Sequence, residues 1–515
     1  MDNRFIIVIG SYNNEKWVSQ NIESVLKQTH KNWRMVYYDA CSEDNTYEIA
    51  KRYMEQDNRI NLITTGQRNL KTWLFDKLTE FENIKPNDII CVLDGDDFLA
   101  SDDVLNYLNE VYNQTHCWMT YGGMICWEGG DKTREAYPQN SEPPPEVFTQ
   151  KLYRRDLWRY SHMRTCRAFL WKKLTHENFV SEYDGNYFTL DDLCTVYPML
   201  EMCPARKIYR VEDHIYIWNA SESRGCAENK TNNIGQHYEA ELRTRRPPSK
   251  ELTVVSPVLA GGLGNQMFEI AAAASLAKDN DALLVINPTE HILPNQGKPA
   301  GNYLSSVFSR IIVDEAPPTS DHITVETLCY EPMTFKPNIK LRGHFQSYKY
   351  FHHNRQYILD LFAPTFDIRN HIAKTYPADK SKITAIQVRR GDYAKFPNSH
   401  PLLSPEYPAK AVKIIGSERV WVFSDDLEWC KETLHFDCPT EYIKDEDYIE
   451  MYLMSLCKNI VIANSSFGWW AAYLKTTPGQ IFAPYPWFGV ELLKRGFKHD
   501  DLIPSDWTVI NTCKE

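Results

Sequence analysis

Ile89-Ile90-Cys91-Val92-Leu93-Asp94-Gly95-Asp96-Asp97 decides how the first half of the chain is read. An apolar run long enough for one buried strand leads straight into three carboxylates within four positions. A strand that is apolar on both faces belongs inside a sheet covered by helices. Carboxylates at its carboxyl end then sit in the crevice where open α/β sheets bind ligands. Clustered carboxylates need a cation, or a shared proton, to offset their repulsion. A divalent cation carrying a nucleotide's diphosphate meets that need, and a solvated acidic turn is the alternative.

The segments before this stretch alternate between strand and helix. Phe5–Ile9, Trp33–Tyr38, Arg59–Thr64 and Asp88–Leu93 are predicted strands. Between them, Val18, Ile22, Val25 and Leu26 share one helical face, Ile49, Ala50 and Tyr53 share another, and Gln67–Phe81 is a third helix. This pattern predicts a βαβ array with a parallel sheet. Tyr12 and Asp39 then lie on the same rim as Asp94, where a ring can stack on a nucleobase and a carboxylate can accept its imide N–H. For Asp39, a turn or helix-capping role is the alternative.

At 515 residues, the chain is long enough for two to four domains, and 43% hydrophobic with 24% charged residues is an ordinary globular composition. The net charge of −11 argues against general nucleic-acid or anionic-membrane binding. Thirteen cysteines without CxxC pairs fit reduced, buried thiols and a cytoplasmic protein. No apolar run approaches the roughly 20 residues of a membrane helix, and the apolar run near Met1 is too short for a signal peptide. The N-x-[ST] triplets at Asn113, Asn219, Asn229 and Asn464 are accordingly read as chance matches.

A polar stretch, Glu222–Ser249, ends in Pro247-Pro248 and predicts a boundary near Pro248, giving domains 1–247 and 248–515. Beyond it, the strand Leu252–Leu259 runs into Gly261-Gly262-Leu263-Gly264-Asn265-Gln266 and an Ala-rich helix. Met267 occupies the third glycine position of a dinucleotide fingerprint, so the turn is read as a close backbone approach to a ligand and not as a dinucleotide site. Ile383–Val388 ends in Arg389-Arg390, two guanidiniums at a strand's carboxyl rim that suit a diphosphate. Val420–Phe423 ends in Ser424-Asp425-Asp426. Asn459–Ala463 ends in Asn464-Ser465-Ser466 before a helix, with Ser466 as a candidate cap and the helix start as an anion site. Trp469 and Trp470 are read as core.

Five pieces of the first half resemble family-2 glycosyltransferases: Ser11-Tyr12-Asn13, Ile22-Glu23-Ser24-Val25-Leu26-x-Gln28-Thr29, Asp39-x-x-Ser42-x-Asp44-Asn45-Thr46, Gly66-Gln67-Arg68-Asn69 and Leu93-Asp94-Gly95-Asp96-Asp97. The resemblance implies a GT-A-type, Rossmann-like fold, an inverting mechanism and a UDP-sugar donor held with Mn²⁺ or Mg²⁺. Tyr12, Asp39, Arg68, Asn69, Asp94 and Asp96 would bind the donor. Asp94 would meet the ribose and the metal's water shell, and Asp96 would ligate the metal. Inversion needs a carboxylate to take the acceptor hydroxyl's proton. Asp192 of Leu190-Asp191-Asp192-Leu193 matches the family's base, with Asp191 orienting, and an Asp pair that merely starts a helix is the alternative. The chain has Ala40-Cys41 where the family usually has Asp-Gly. The run Tyr153–Arg167 is read as a packed amphipathic helix or, alternatively, an acceptor groove. His214 is left out of the metal site.

The second half resembles family-11 glycosyltransferases, the α-1,2-fucosyltransferases. The resemblance lies in Gly261–Phe268, Phe345-Gln346-Ser347-x-Lys349-Tyr350-Phe351, Val388-Arg389-Arg390-Gly391-Asp392-Tyr393, Val422–Asp426, Met451–Cys457 and Asn464–Trp470. It implies a GT-B-like pair of Rossmann-type subdomains, GDP-fucose as donor and no metal. Arg389 and Arg390 would hold the diphosphate, with Asn265, Gln266, Ser424, Asp425, Asn464, Ser465 and Ser466 around the nucleotide. Asp392 is a donor-site residue and a secondary candidate for the base. Gln387 stands where the family usually has His, which leaves a different 6-deoxy-L-hexose donor open. Together the halves predict a bifunctional glycosyltransferase, metal-dependent in its first half only, building a glycan on a glycan or glycoprotein acceptor, without nucleic acid or a membrane span. The alternative is that one half is an inactive binding module.

Overall fold

The computed structural model describes residues 2–66, 71–135, 141–221, 233–245, 252–292, 297–498 and 500–512. The chain divides into two compact units, Met1–Leu252 and Thr253–Glu515. The expected boundary near Pro248 lies outside the described residues.

The first unit is built on a mixed nine-stranded sheet. Strands β1 (Phe5–Ser11), β2 (Trp33–Asp39), β3 (Ile60–Ile63) and β4 (Ile89–Asp94) form its parallel part in the order β3-β2-β1-β4. The sheet is extended by β5 (Phe98–Leu99), β6 (Met119–Gly129), β7 (Lys132–Glu135), β8 (Arg164–Arg167) and β9 (Ile208–Asn219). Every residue of β1 except Gly10 is buried, as are all of β4 up to Asp94, so both strands are covered on two faces as their apolar runs require. Register sets the rim: Ser11 pairs with Asp39 and Gly10 with Asp94. Asp39 and Asp94 therefore end on one edge, as the strand pattern predicted.

One expectation is corrected. Tyr153–Arg167 is not an amphipathic helix but a loop leading into β8, which runs antiparallel to β4 and pairs Arg164 with Val92. An antiparallel neighbour starts where β4 ends, so the beginning of β8 falls on the acidic rim.

The second unit holds β10 (Val254–Pro257), β11 (Leu259–Ala260), β12 (Leu283–Ile286), β13 (His291–Ile292), β14 (Ile312–Val313), β15 (Asp321–Thr324) and β16 (Ile339–Arg342). These are followed by β17 (Ile383–Val388), β18 (Arg419–Ser424), β19 (Thr440–Ile443), β20 (Asn459–Val461), β21 (Ile481–Tyr485) and β22 (Thr508–Asn511). One parallel sheet runs β14-β12-β10-β16-β15 and a second runs β19-β18-β17-β20-β21-β22, the expected pair of Rossmann-type subdomains. In the second sheet β17 is flanked by β18 on one side and β20 on the other, so the strand order reverses at β17. Arg389 follows that strand directly.

Gly264 lets the helix Leu263–Asp279 meet the start of the helix Ser466–Tyr473, because a Cβ there would lie 2.5 Å from the Ser466 carbonyl carbon and 2.6 Å from the Phe467 nitrogen. Backbone cannot yield as a flexible side chain does. Gly264→Ala is therefore expected to destabilise this unit by about 1–3 kcal/mol, read as a lowered midpoint in chemical denaturation. Trp469 and Trp470 are both fully buried, as read from the sequence.

Candidate functional site

In the first unit, Lys71 organises the rim. It opens the helix Lys71–Phe81, and its stem crosses Gly10, where a Cβ would come within 2.6 Å of Lys71 Cγ. The ammonium pairs with Asp94 Oδ1 and lies 2.8 Å from Asp191 Oδ2, joining the end of β4 to the start of the helix Asp191–Met202. The Asp pair does begin a helix, and it also faces the rim. Arg164 closes the cluster from β8, with Nη1 3.0 Å from Asp192 Oδ2 and Nη2 3.9 Å from Asp191 Oδ2. His162 Nε2 lies 3.5 Å from Asp94 Oδ2, and its ring stacks on Tyr216 with centroids 4.7 Å apart.

These contacts divide the carboxylates electrostatically. Burial alone would raise Asp94, but Lys71, with His162 and Arg164 behind it, holds it well below the usual carboxylate range. Burial likewise opposes ionisation of Asp192, and Arg164 overcomes it, so Asp192 stays charged. For Asp191 burial prevails and its pKa rises, with Lys71 opposing. Asp96 is pushed up to about 6 by burial and the neighbouring Asp94 charge. Asp97 is buried behind the rim, where Tyr216 Oη donates to it at 2.6 Å and the Asn219 N–H at 2.8 Å. His162, buried and facing Arg164, drops to about 3 and is a neutral ring.

Among the described residues no group of three or more His, Cys, Asp or Glu side chains is arranged to hold a metal by itself. A cation that arrives with a diphosphate needs fewer protein ligands. Asp96, raised by burial and a like charge, is a donor that such a cation would neutralise. Asp94 already has the Lys71 ammonium. The residues fit a divalent ion ligated through Asp96, with Asp94 held beside it.

Asp39 is buried, and both of its oxygens accept from Ser42: Oδ2 from the N–H at 3.0 Å and Oδ1 from the hydroxyl at 2.6 Å. Its turn role is thus present on the same edge as Asp94. Tyr12 is half-buried, with its hydroxyl 3.4 Å from Glu43 Oε1. Cys41, where the family usually has Gly, adopts φ 58°, a left-handed conformation that glycine enters without steric cost. Arg68 and Asn69 lie outside the described residues. His214 sits 3.2 Å from Glu135 Oε1 on the exposed side of β9.

In the second unit a cleft of about 520 Å³ opens at the carboxyl end of β17, within the range of small-molecule sites. Asn265, Ser424, Asp425, Asn464, Ser465 and Ser466 line it, together with Arg389, Asp392 and Gln387. Arg389 is held by two carboxylates, Nη2 2.6 Å from Asp392 Oδ1 and Nη1 3.1 Å from Asp425 Oδ2. Arg390 is placed differently. Its guanidinium stacks 3.8 Å from the Trp429 ring centroid, and Nε lies 3.3 Å from Asp426 Oδ2. The structure brings Arg389 to the cleft wall and commits Arg390 to packing behind it.

Several expected nucleotide contacts are already engaged. Gln266 is fully buried, its amide donating to the Gly261 and Lys298 carbonyls at 2.9 Å each, so it shapes the glycine turn from behind. Asn265 Oδ1 accepts from Ser466 Oγ at 2.7 Å and from Gln346 Nε2 at 3.0 Å. Ser466 therefore does not cap its helix: the N-cap is Ser465, without a side-chain cap bond. Asn464 Nδ2 donates to Pro401 and Trp487 carbonyls at 3.1 Å, and Ser424 Oγ accepts the Asp426 N–H at 2.9 Å. Gln387 Oε1 accepts the Ala463 N–H at 2.9 Å, which ties β17 to the loop after β20.

Sequence reading missed Lys71, His162, Arg164 and Tyr216 in the first unit, and Glu269 with His344 in the second. Glu269 is fully buried on the helix Leu263–Asp279. Its Oε2 accepts the Ala260 N–H at 2.8 Å, and its Oε1 lies 3.4 Å from His344 Nδ1. Burial raises its pKa to about 7, with His344 opposing. Between the ordinary Glu range and pH 7 the folded state then holds a proton that the unfolded chain has released, so stability falls as pH rises through this window. Glu269→Gln, which cannot titrate, is expected to flatten that dependence in denaturation midpoints measured from pH 5 to pH 7.5.

Two α/β units, each with chemistry-bearing side chains at the carboxyl ends of parallel strands, define the class of a two-domain glycosyltransferase once the comparisons are added. The chain belongs to glycosyl transferase family 11, whose model matches residues 226–511, and the model of glycosyl transferase family 2 matches residues 6–179. The O-antigen biosynthesis glycosyltransferase WbnK of Escherichia coli is 28% identical over 286 residues, covering 45% of this chain and 93% of that protein. An alpha-1,2-colitosyltransferase of Escherichia coli is 27% identical over 300 residues, covering 50% of this chain and 99% of that protein. Glycosyltransferase GlyG of Streptococcus pneumoniae serotype 4 is 23% identical over 218 residues, covering 41% of this chain and 69% of that protein. No helix among the described residues is long and apolar enough to cross a membrane.

Proposed function

We propose that the first unit transfers a sugar from a UDP-sugar with inversion, and that the second transfers L-fucose from GDP-fucose to a 2-hydroxyl of a glycan. The observation that carries the first reading is the Lys71 bridge, which brings the donor-side Asp94 and the Asp191-Asp192 pair to one rim. Asp96 would ligate Mn²⁺ or Mg²⁺, and that ion would neutralise the leaving diphosphate. Asp192, kept ionised by Arg164, takes the proton of the attacking hydroxyl, while Asp191 and Arg164 fix its position. Asp39 and Tyr12 would contact the donor's nucleobase.

For the second unit, the placement of Arg389 at the strand-order reversal supports a diphosphate held without metal. A colitosyl donor is a second reading, favoured by the Escherichia coli relative's name and by Gln387 in place of His. The pairing of two transferases in one chain supports successive action, the second unit modifying the sugar placed by the first. That coupling fails if fucosylation is equally fast on glycans the first unit cannot make.

Nucleotide release from a panel of UDP- and GDP-sugars, with Mn²⁺ or with EDTA, tests the assignment. UDP release that EDTA abolishes and GDP release that it leaves intact are expected. Release of neither nucleotide with any donor would overturn the assignment.

A further inference from the structure

Within the proposed fucosyl transfer, and resting on that reading, we infer that His344, oriented by Glu269, takes the proton of the acceptor hydroxyl in the cleft of the second unit.

His344 lines the cleft, and its side chain is 40% exposed. Its Nδ1 is buried beside the Glu269 carboxylate. His344 Nδ1 and Glu269 Oε1 lie 3.4 Å apart, both buried and neither hydrogen-bonded; a small turn of the ring lets Nδ1–H donate to Glu269 and leaves Nε2 as the proton acceptor. The backbone that presents the ring is tightly determined. Gly343 has φ 149°, and a Cβ there would lie 2.4 Å from the Val325 carbonyl oxygen. Phe345, a non-glycine residue, is held at φ 48° with its ring buried against Tyr350, centroids 5.3 Å apart. Left-handed backbone of this kind is costly for a non-glycine residue and collects at functional sites.

Glu269 serves the fold by accepting the Ala260 N–H, a bond for which a neutral acceptor would be enough. It sits among the fully buried Ala271–Ala274 of an apolar helix, where a carboxylate is costly to bury and an apolar residue would pack. The other carboxylates lining the cleft are engaged. Asp392 and Asp425 hold Arg389, and Asp447 accepts from Tyr303 Oη at 2.7 Å and faces Lys298. Glu450 accepts the Asp445 N–H at 3.0 Å, and His400 stacks on Tyr393 with centroids 4.5 Å apart.

In the step, the acceptor oxygen forms a bond to the anomeric carbon as its proton passes to His344 Nε2. The bond from that carbon to the phosphate oxygen breaks, its electron pair leaves with GDP, and Arg389 balances the diphosphate charge. The imidazolium is balanced by Glu269 in its ionised form, which prevails above pH 7, and returns its proton to water after product release. His344 is thus a catalytic residue, and Glu269 is a positioning residue acting through it.

The test uses the full chain with GDP-fucose and a panel of methyl glycosides, and measures fucoside formation alongside GDP binding by calorimetry. His344→Ala is expected to lower kcat by about 10²–10³-fold, to leave GDP affinity and the KM for GDP-fucose within twofold of wild type, and to regain rate when imidazole is added. Glu269→Gln is expected to lower kcat about tenfold at unchanged KM, without rescue by imidazole. Should His344→Ala fail to fold, His344→Gln supplies the same kcat comparison. An active wild type whose His344 variants keep their kcat, or lose GDP binding in proportion, overturns the inference alone. A wild type that turns over no GDP-sugar overturns the underlying reading and this inference with it.

Discussion

Asp192→Asn is expected to slow sugar transfer by the first unit by about 10²–10⁴-fold, the range for loss of a general base, with the KM for the UDP-sugar little changed. The amide keeps the shape and a hydrogen bond but cannot accept the proton, and the Arg164 guanidinium 3.0 Å away loses its countercharge. The same variant should still bind UDP, because the proposed nucleotide contacts, Tyr12, Asp39 and Asp94, lie at the ends of β1, β2 and β4. Steady-state kinetics of product formation, paired with UDP binding by calorimetry, separates the two effects. Loss of UDP affinity comparable to the loss of rate would remove Asp192 from the role of base.

The second large effect concerns Arg389. Arg389→Ala is expected to reduce GDP release from GDP-fucose by about 10²–10³-fold, the scale of removing one charge-stabilising group from a transition state. Arg390→Ala is expected to differ in kind. Its guanidinium lies on Trp429 and faces Asp426, so its loss should lower the melting temperature and affect kcat by less than tenfold. Sequence alone treats the two adjacent arginines as a matched pair. The structure separates them, and parallel kinetics and melting curves on the two variants read the separation directly. Equal kinetic losses would return both to the diphosphate.

Much of the architecture was legible because it rests on local pattern. Runs such as Phe5–Ile9 and Ile89–Leu93 are apolar on both faces, as a strand inside a covered sheet requires, and the ends of Ile89–Leu93 and of the buried Ile383–Val388 fix where Asp94 and Arg389 fall. What could not be read depends on long-range pairing. Nothing near Lys71 in sequence says that its stem passes over Gly10 to reach Asp94 and Asp191. His162 and Arg164 were hidden in an aromatic and basic run that matches a helical period, while the antiparallel pairing of β8 with β4 makes part of it a strand. Gln266 and Asn265 carry a motif whose side chains prove to hold backbone and neighbouring loops. Glu269 sits one turn beyond that motif, and only the arrival of His344 from the end of β16 marks it as more than a helix residue.

That one chain holds two independent transfer sites is the central proposal. It is tested most directly by measuring UDP release and GDP release, each with its acceptor, in wild type, Asp192→Asn and Arg389→Ala. The predicted result is that Asp192→Asn loses the UDP-linked activity and keeps the GDP-linked one, with the converse for Arg389→Ala. Loss of both activities in either variant, or of neither in both, would contradict it.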